Sequence, residues 1–337
     1  MEVRILGSES MGVRSLSCEV VTARRHLLID AGVALAPRRQ GRPPHIYEMA
    51  AALGVRRRIN IASAVATDVV ISHYHNDHIT PAERRLYHWS STSLAEEIYG
   101  PKRPIYAKSW RDNINKRQRS RARSMQKRWG EFFEADGKRI DEELSFSPAL
   151  YHGEQGSMQG HVIATCVRDG GECFVHAGDI QGMDDEAVDW VIAQRPDLVF
   201  MAGPPLYLQI LSEQGVKACV VRLARLAESC GTLVLDHHVC RGKDWESFRE
   251  WIVNLAKGRE VLTAAEYMKV EPMMLESMRY ELYKERPVPR GFHPKAAQGE
   301  AESLAVLEEA LTFLDAGKRP KCLENVEVKQ PVSLPLV

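Results

Sequence analysis

The chain has 337 residues, 44% of them hydrophobic and 27% charged, with 45 Lys plus Arg balanced by 45 Asp plus Glu. That length carries a sizeable core in one large domain or two small ones, and no apolar run reaches the ~18 residues of a membrane-spanning helix. Seven cysteines without a Cys-x-x-Cys exclude a thiolate zinc finger and indicate a reduced, intracellular chain.

The opening Met1-Glu2-Val3-Arg4-Ile5-Leu6 alternates as a strand rather than forming a basic-then-apolar leader, so a cytoplasmic location is expected. Strands are predicted over 3–6, 14–22 and 26–29, with turn points at Gly7 and Gly12, and the last runs into Asp30-Ala31-Gly32. A Pro/Arg/Gly-rich loop spans Pro37 to Pro44, and a helix begins near Ile46. His45, behind two prolines, is expected at the surface.

Next comes the apolar strand Asp68-Val69-Val70-Ile71-Ser72, followed at once by His73-Tyr74-His75-Asn76-Asp77-His78. Three imidazoles and a carboxylate in six residues suit zinc or iron, and groups at the carboxyl end of a buried strand are within a substrate's reach. Thr80-Pro81-Ala82-Glu83 reads as a capping box with Pro at the first helical position, which predicts a helix whose N-terminus favours an anion beside the cluster.

Charge is unevenly spread. Residues 1–130 carry 23 Lys and Arg against 11 Asp and Glu, which leaves 22 against 34 for the remainder. Between Lys102 and Arg128 there are eleven basic residues and one acid, Asp112. A solvated, partly helical surface arm has this composition, and so does a phosphate-binding surface for nucleic acid or a phosphorylated substrate.

Further along, His152 ends the run Phe146 to Tyr151 and precedes the glycine-containing loop Gly153 to Ser157. His161–Val167 and Glu172–His176 form a hairpin through Asp169-Gly170-Gly171, with Asp179 after its second strand. A helix at Asp185–Gln194, a strand at Asp197–Met201, the turn Gly203-Pro204-Pro205, a helix at Val216–Ser229, a strand at Thr232–Leu235 and a helix at Trp245–Ala256 complete the pattern. His237 and His238 follow the fourth of these strand ends through Asp236. His161 and His176 are expected to be packed within strands. Beyond about Arg286 the chain reads as loosely organised. Strands and helices in this order predict sheets covered by helices.

The order His-x-His-x-Asp-His, then His, Asp and His, each after a strand, resembles the metallo-β-lactamase fold hydrolases over residues 1 to 260. The stretches Leu6 to Ser15, Ile71 to His78, Asn113 to Lys116, Phe174 to Gly182, Ala202 to Pro205 and Leu235 to His238 resemble, more narrowly, a mainly archaeal family of predicted metallo-hydrolases within that superfamily. The resemblance implies an α/β four-layer αββα sandwich. It implies a domain over 1–300 with a basic helical insertion at about 84–130, then a C-terminal helix and tail over 301–337.

Carried over position by position, His73, His75 and His152 would hold one metal and Asp77, His78 and a late histidine the second, with Asp179 between them. His237 is preferred because it directly follows the strand-end Asp236, with His238 as the alternative. Asp77 and Asp179 would be the catalytic carboxylates, and Asp30 would orient a ligand loop. Two divalent ions, zinc foremost and iron or manganese next, would supply a shared hydroxide nucleophile. An Asp rather than a thiolate between the metals points away from β-lactamases. The 58 residues from Asp179 to His237 leave no room for the extra domain of the superfamily's RNA-cleaving members. Phosphodiester or other phosphate-containing substrates are favoured by the basic run. Ester, thioester or lactone hydrolysis, iron-dependent redox chemistry and plain nucleic-acid binding stay open.

Overall fold

The computed structural model describes residues 1–100 and 103–324; Lys102 and the tail residues 325–337 lie outside them. Six strands form a first sheet in chain order: β1 (Glu2–Gly7), β2 (Ser17–Val21), β3 (His26–Ile29), β4 (Asp68–Ile71), β5 (Ile105–Ala107) and β6 (Phe133–Glu134). A second begins with β7 (Leu144–Phe146). After the separate hairpin β8 (Leu150–Tyr151) and β9 (His161–Val162) it continues through β10 (Thr165–Asp169), β11 (Glu172–Gly178), β12 (Leu198–Met201), β13 (Thr232–Leu235) and β14 (Val261–Leu262), in the spatial order β14-β13-β12-β11-β10-β7.

Strand side chains alternate between faces, and here both faces are buried. In β3, Leu27 and Ile29 join the layer between the sheets, whereas Leu28 joins the outer layer of the first sheet. In β13, Val234 faces inward, and Leu233 and Leu235 face the outer layer of the second. Strands that are apolar on every position thus require cover on both sides.

That cover is helical. The outer core of the first sheet contains residues of α1 (Ile46–Val65), α2 (Thr92–Tyr99) and α3 (Lys116–Trp129). The core of the second contains residues of α4 (Asp185–Ala193), α5 (Glu213–Ser229) and α6 (Trp245–Leu255). The result is the four-layer αββα sandwich expected from the sequence. Segment 84–130 contributes β5 to the first sheet as well as two helices, so it is integral to the domain's sheet.

Three expectations are corrected. No helix starts at Pro81: the Thr80 hydroxyl donates to the Ala31 carbonyl and accepts from Arg56, and the Thr80 amide donates to the Tyr99 hydroxyl. With its oxygen committed to distant partners, Thr80 does not cap, and the anion-favouring helix end is lost. His45 is buried, capping α1 through the Tyr47 amide and reaching the Arg286 carbonyl at 2.7 Å. Between Arg286 and Glu324 the chain is largely helical rather than loose, and the rest of that expectation falls outside the described residues. After α7 (Ala264–Tyr267) and α8 (Arg279–Glu285) come α9 (Phe292–Gln298) and α10 (Ala301–Asp315), and α10 places Leu307, Leu311 and Leu314 in the core that α1 shares.

Candidate metal centre

β3 and β4 run parallel, as do β11, β12 and β13, so their carboxyl ends lie together and deliver Asp30, His73–His78, Asp179 and Asp236–His238 to one place. His152 arrives from the end of β8. One close approach and two left-handed residues make this convergence feasible. A Cβ at Gly32 would lie 2.5 Å from backbone atoms of Asp77 and His78, so only glycine lets the Asp30 loop lie against the histidine loop. Asp30 and His237 take left-handed backbone angles (φ 49° and 56°), a conformation costing an L side chain roughly 1–2 kcal/mol, and each turns the chain sharply at a strand end.

Asp179 is at the centre. Its Oδ2 is 3.5 Å from His73 Nε2, 2.9 Å from His152 Nε2 and 3.1 Å from His238 Nε2, and its Oδ1 is 3.2 Å from His78 Nε2 and 3.6 Å from His237 Nε2. His237 Nε2 is also 3.5 Å from Asp77 Oδ2. Four ligands at ~2.0–2.1 Å around one tetrahedral ion stand about 3.3 Å apart, so these separations fit metal coordination. Among the described residues, ligand atoms lie within 4.8 Å of one another in four groups: His73, His75, His152 and Asp179; Asp77, His78 and His237; Asp179, His237 and His238; and Asp30, His73 and His78.

The protonation pattern agrees. The Ser72 hydroxyl donates its one proton to Asp30 Oδ2, so at 3.0 Å it accepts from His73 Nδ1, which leaves the His73 Nε2 lone pair facing Asp179. His78 Nδ1 donates to Asp30 Oδ2 at 2.8 Å, with the same consequence at its Nε2. His73 Nε2, His78 Nε2, His152 Nε2 and Asp179 Oδ1 are buried with no hydrogen-bond partner. Burying four such atoms unpaired is costly unless something else satisfies them. The residues therefore fit a metal.

Burial keeps the His73 imidazole down at about 4, and holds His75 and His237 well below the ordinary histidine value; each is neutral near pH 7, as a ligand must be. For Asp179 and Asp77 burial pushes upward, but neighbouring imidazoles outweigh it and hold both well below the usual carboxylate range. His78 is the exception. Burial opposes its charge, yet Asp179 and Asp30 on either side raise it well above the ordinary value.

Several supporting residues carry no motif and are recognisable only from the fold. The Gln118 side-chain amide lies 3.3 Å from His75 Nε2, and that of Gln181 lies 3.1 Å from His152 Nδ1. The Asp236 carboxylate is consumed by Ser8, Ser10, His237 and Ala264, which fixes the turn carrying both late histidines. His176 binds the Leu16 carbonyl and His161 stacks on Tyr151, so both are packed as expected. Replacing Asp30 by Asn leaves one acceptor oxygen where the carboxylate serves the Ser72 amide, the Ser72 hydroxyl and His78 Nδ1, and removes the charge; a 10- to 100-fold loss of metal affinity, roughly, is expected by competition with a chromogenic chelator.

No family model matches the chain. Curated relatives do. A UPF0282 protein of Thermococcus onnurineus is 41% identical over 292 residues, covering 84% of this chain and 95% of its own. One of Methanosarcina mazei is 40% identical over 303 residues, covering 89% and 98%. Among solved structures, a metal-dependent hydrolase of the beta-lactamase superfamily aligns with a TM-score of 0.46 at 14% identity over 77% of this chain and 94% of that one. An isothiocyanate hydrolase from Delia radicum gut bacteria aligns at 0.42 and 14%, over 74% and 94%.

Proposed function

We propose that this chain, which belongs to the UPF0282 protein family, is a metal-dependent hydrolase with two divalent ions, acting on a phosphate-containing substrate. The observation that carries the reading is the set of four buried, unpartnered ligand atoms converging around Asp179. His73, His75, His152 and Asp179 would hold one ion, and Asp77, His78, His237 and the other Asp179 oxygen the second. When bound, such ions supply Lewis acidity towards a carbonyl or phosphoryl oxygen and acidify a water towards neutral pH.

The protein's own groups prepare that site. Asp30 and Ser72 hold His73 and His78 in their ligand tautomers, and Asp77 and Asp179 supply the negative charge. His238 plays a different part from His237. Arg241 Nη1 donates to His238 Nδ1 at 3.0 Å, so His238 Nε2 carries the proton and donates to Asp179 Oδ2. A guanidinium can only donate, whereas the Gln181 amide at His152 Nδ1 can turn its oxygen to accept, so His238 steadies the shared carboxylate while His152 keeps its Nε2 lone pair for a metal.

Support for a phosphate-containing substrate comes from α3. Its N-terminal turn is bolted to the histidine loop: Gln118 accepts from the Tyr74 amide, and Arg121 donates to the Tyr74 carbonyl. Its other face exposes Lys116, Arg117, Arg123, Lys127 and Arg128, which share one side at helical spacing with no acidic residue in the helix. Phosphates crossing that face would continue towards the cleft. Gln at Arg117, Arg123 and Lys127 should lower the salt slope of oligonucleotide binding by about 2 to 3; binding absent or salt-insensitive in the intact protein refutes the phosphate role.

The direct test is metal content per chain by mass spectrometry, followed by turnover of a generic phosphodiester and a generic ester on protein loaded with that metal. Two ions and phosphodiester turnover are expected. One iron with oxygen consumption overturns the hydrolase reading, and ester turnover alone overturns the substrate class.

A further inference from the structure

Arg241 brings a permanent positive charge into the candidate metal centre. It ends the short turn Val239–Arg241, four residues after His237, and is 2% exposed. Its Nε donates to Glu9 Oε2 at 3.0 Å, and its Nη2 reaches Asp77 Oδ2 at 3.4 Å. That Nη2 lies 3.1 Å from His237 Nδ1 and 2.9 Å from His237 Nε2. The guanidinium thus sits within hydrogen-bond distance of both ring nitrogens of His237. Glu9, 1% exposed, accepts from the guanidinium Nε; burial pushes its carboxyl up to about 8 against the pull of Arg241, so near pH 7 it offsets only a small part of that charge.

The two groups of ligands therefore differ electrostatically. The hydrogen-bond partners of His73, His75 and His152 are neutral: Ser72, Gln118 and Gln181. Asp77 and His237 instead share a guanidinium. Like charges a few ångströms apart in a poorly solvated site oppose one another by far more than they do in water, and Glu9, lying behind the guanidinium, screens that field without cancelling it.

We propose that Arg241 makes the two metal positions unequal: the ion among His73, His75, His152 and Asp179 binds tightly, whereas the position at Asp77, His78 and His237 is weak and exchangeable. An anionic substrate, by adding negative charge beside Arg241, would favour filling it. Arg241 acts through the ligands and is a positioning residue. The inference rests on the dinuclear reading, and its test separates the two.

Metal-free wild type, Arg241→Gln, Arg241→Lys and Glu9→Gln are titrated with zinc by calorimetry against a competing chelator, with thermal melts to verify folding. Wild type should bind two ions with dissociation constants differing by roughly 100-fold, or 2.7 kcal/mol. Arg241→Gln should tighten the second step by about tenfold, or 1.4 kcal/mol, with the first step unchanged. Arg241→Lys should keep the wild-type inequality, and Glu9→Gln, titrated at pH 9 where the wild-type Glu9 carboxyl is ionised, should weaken the second step further. Equal affinities in wild type, or a second step unchanged or weaker in Arg241→Gln, overturn the proposal while leaving two metals in place. Should Arg241→Gln fail to fold, Glu9→Gln decides: an unchanged second step overturns the proposal. One ion at saturation in both wild type and Arg241→Gln brings down the dinuclear reading itself.

Discussion

Asp179→Asn is expected to bind at most one metal ion per chain and to lose hydrolysis by about 10³-fold, roughly 4 kcal/mol of transition-state stabilisation. The side chain keeps its size, so the cause is charge and donor count. One carboxylate oxygen faces His73 and His152 and the other faces His78 and His237, at 2.9 to 3.6 Å. An amide offers one acceptor oxygen and turns a donor group towards the second cluster. Metal analysis on the dialysed variant, with turnover measured beside wild type, checks this; two retained ions and turnover within tenfold of wild type contradict a shared carboxylate.

The second large effect is acid sensitivity of the metal-free protein. Burial keeps His45, His73, His88 and His238 each down at about 4. In the unfolded chain these imidazoles protonate near pH 6.5, whereas in the folded one they stay neutral until about pH 4. Between those values the unfolded state binds more protons, so stability falls as pH falls, by about 1.4 kcal/mol per pH unit for each histidine. His78 has the opposite sign. Its raised value contributes stability that is complete below pH 6.5 and is lost as pH rises through its folded value. Urea midpoints of metal-free protein should therefore drop steeply from pH 6.5 to 4.5, and zinc at 1,000 times its dissociation constant should add about 4 kcal/mol at pH 7. A midpoint that does not move between pH 7 and 4.5 refutes the buried-neutral state of these histidines.

Much of the candidate centre was legible because the residues that could ligate a metal cluster locally or end strands with a strong apolar signature. The run from His73 to His78 needs no tertiary information to be suspected, and β4, β11 and β13 announce themselves as short apolar segments buried on both faces. Thr80 shows where local reading fails. A capping box is a local pattern, and a buried guanidinium and a carbonyl outcompeted it for the Thr80 hydroxyl, while a phenol took the Thr80 amide. The C-terminal helices failed for a related reason: Leu307, Leu311 and Leu314 acquire meaning only once α1 supplies a surface to cover.

By itself, then, the sequence determined the layered α/β architecture and the residues able to ligate metal, since both rest on short-range periodicity and donor chemistry. Tertiary structure alone decided which nitrogen each imidazole presents, how His237 and His238 differ, and that Arg241 and Glu9 enter the centre. Those outcomes depend on hydrogen bonds between residues as far apart as Glu9 and Arg241, 232 positions in the chain, and no local pattern encodes such a contact.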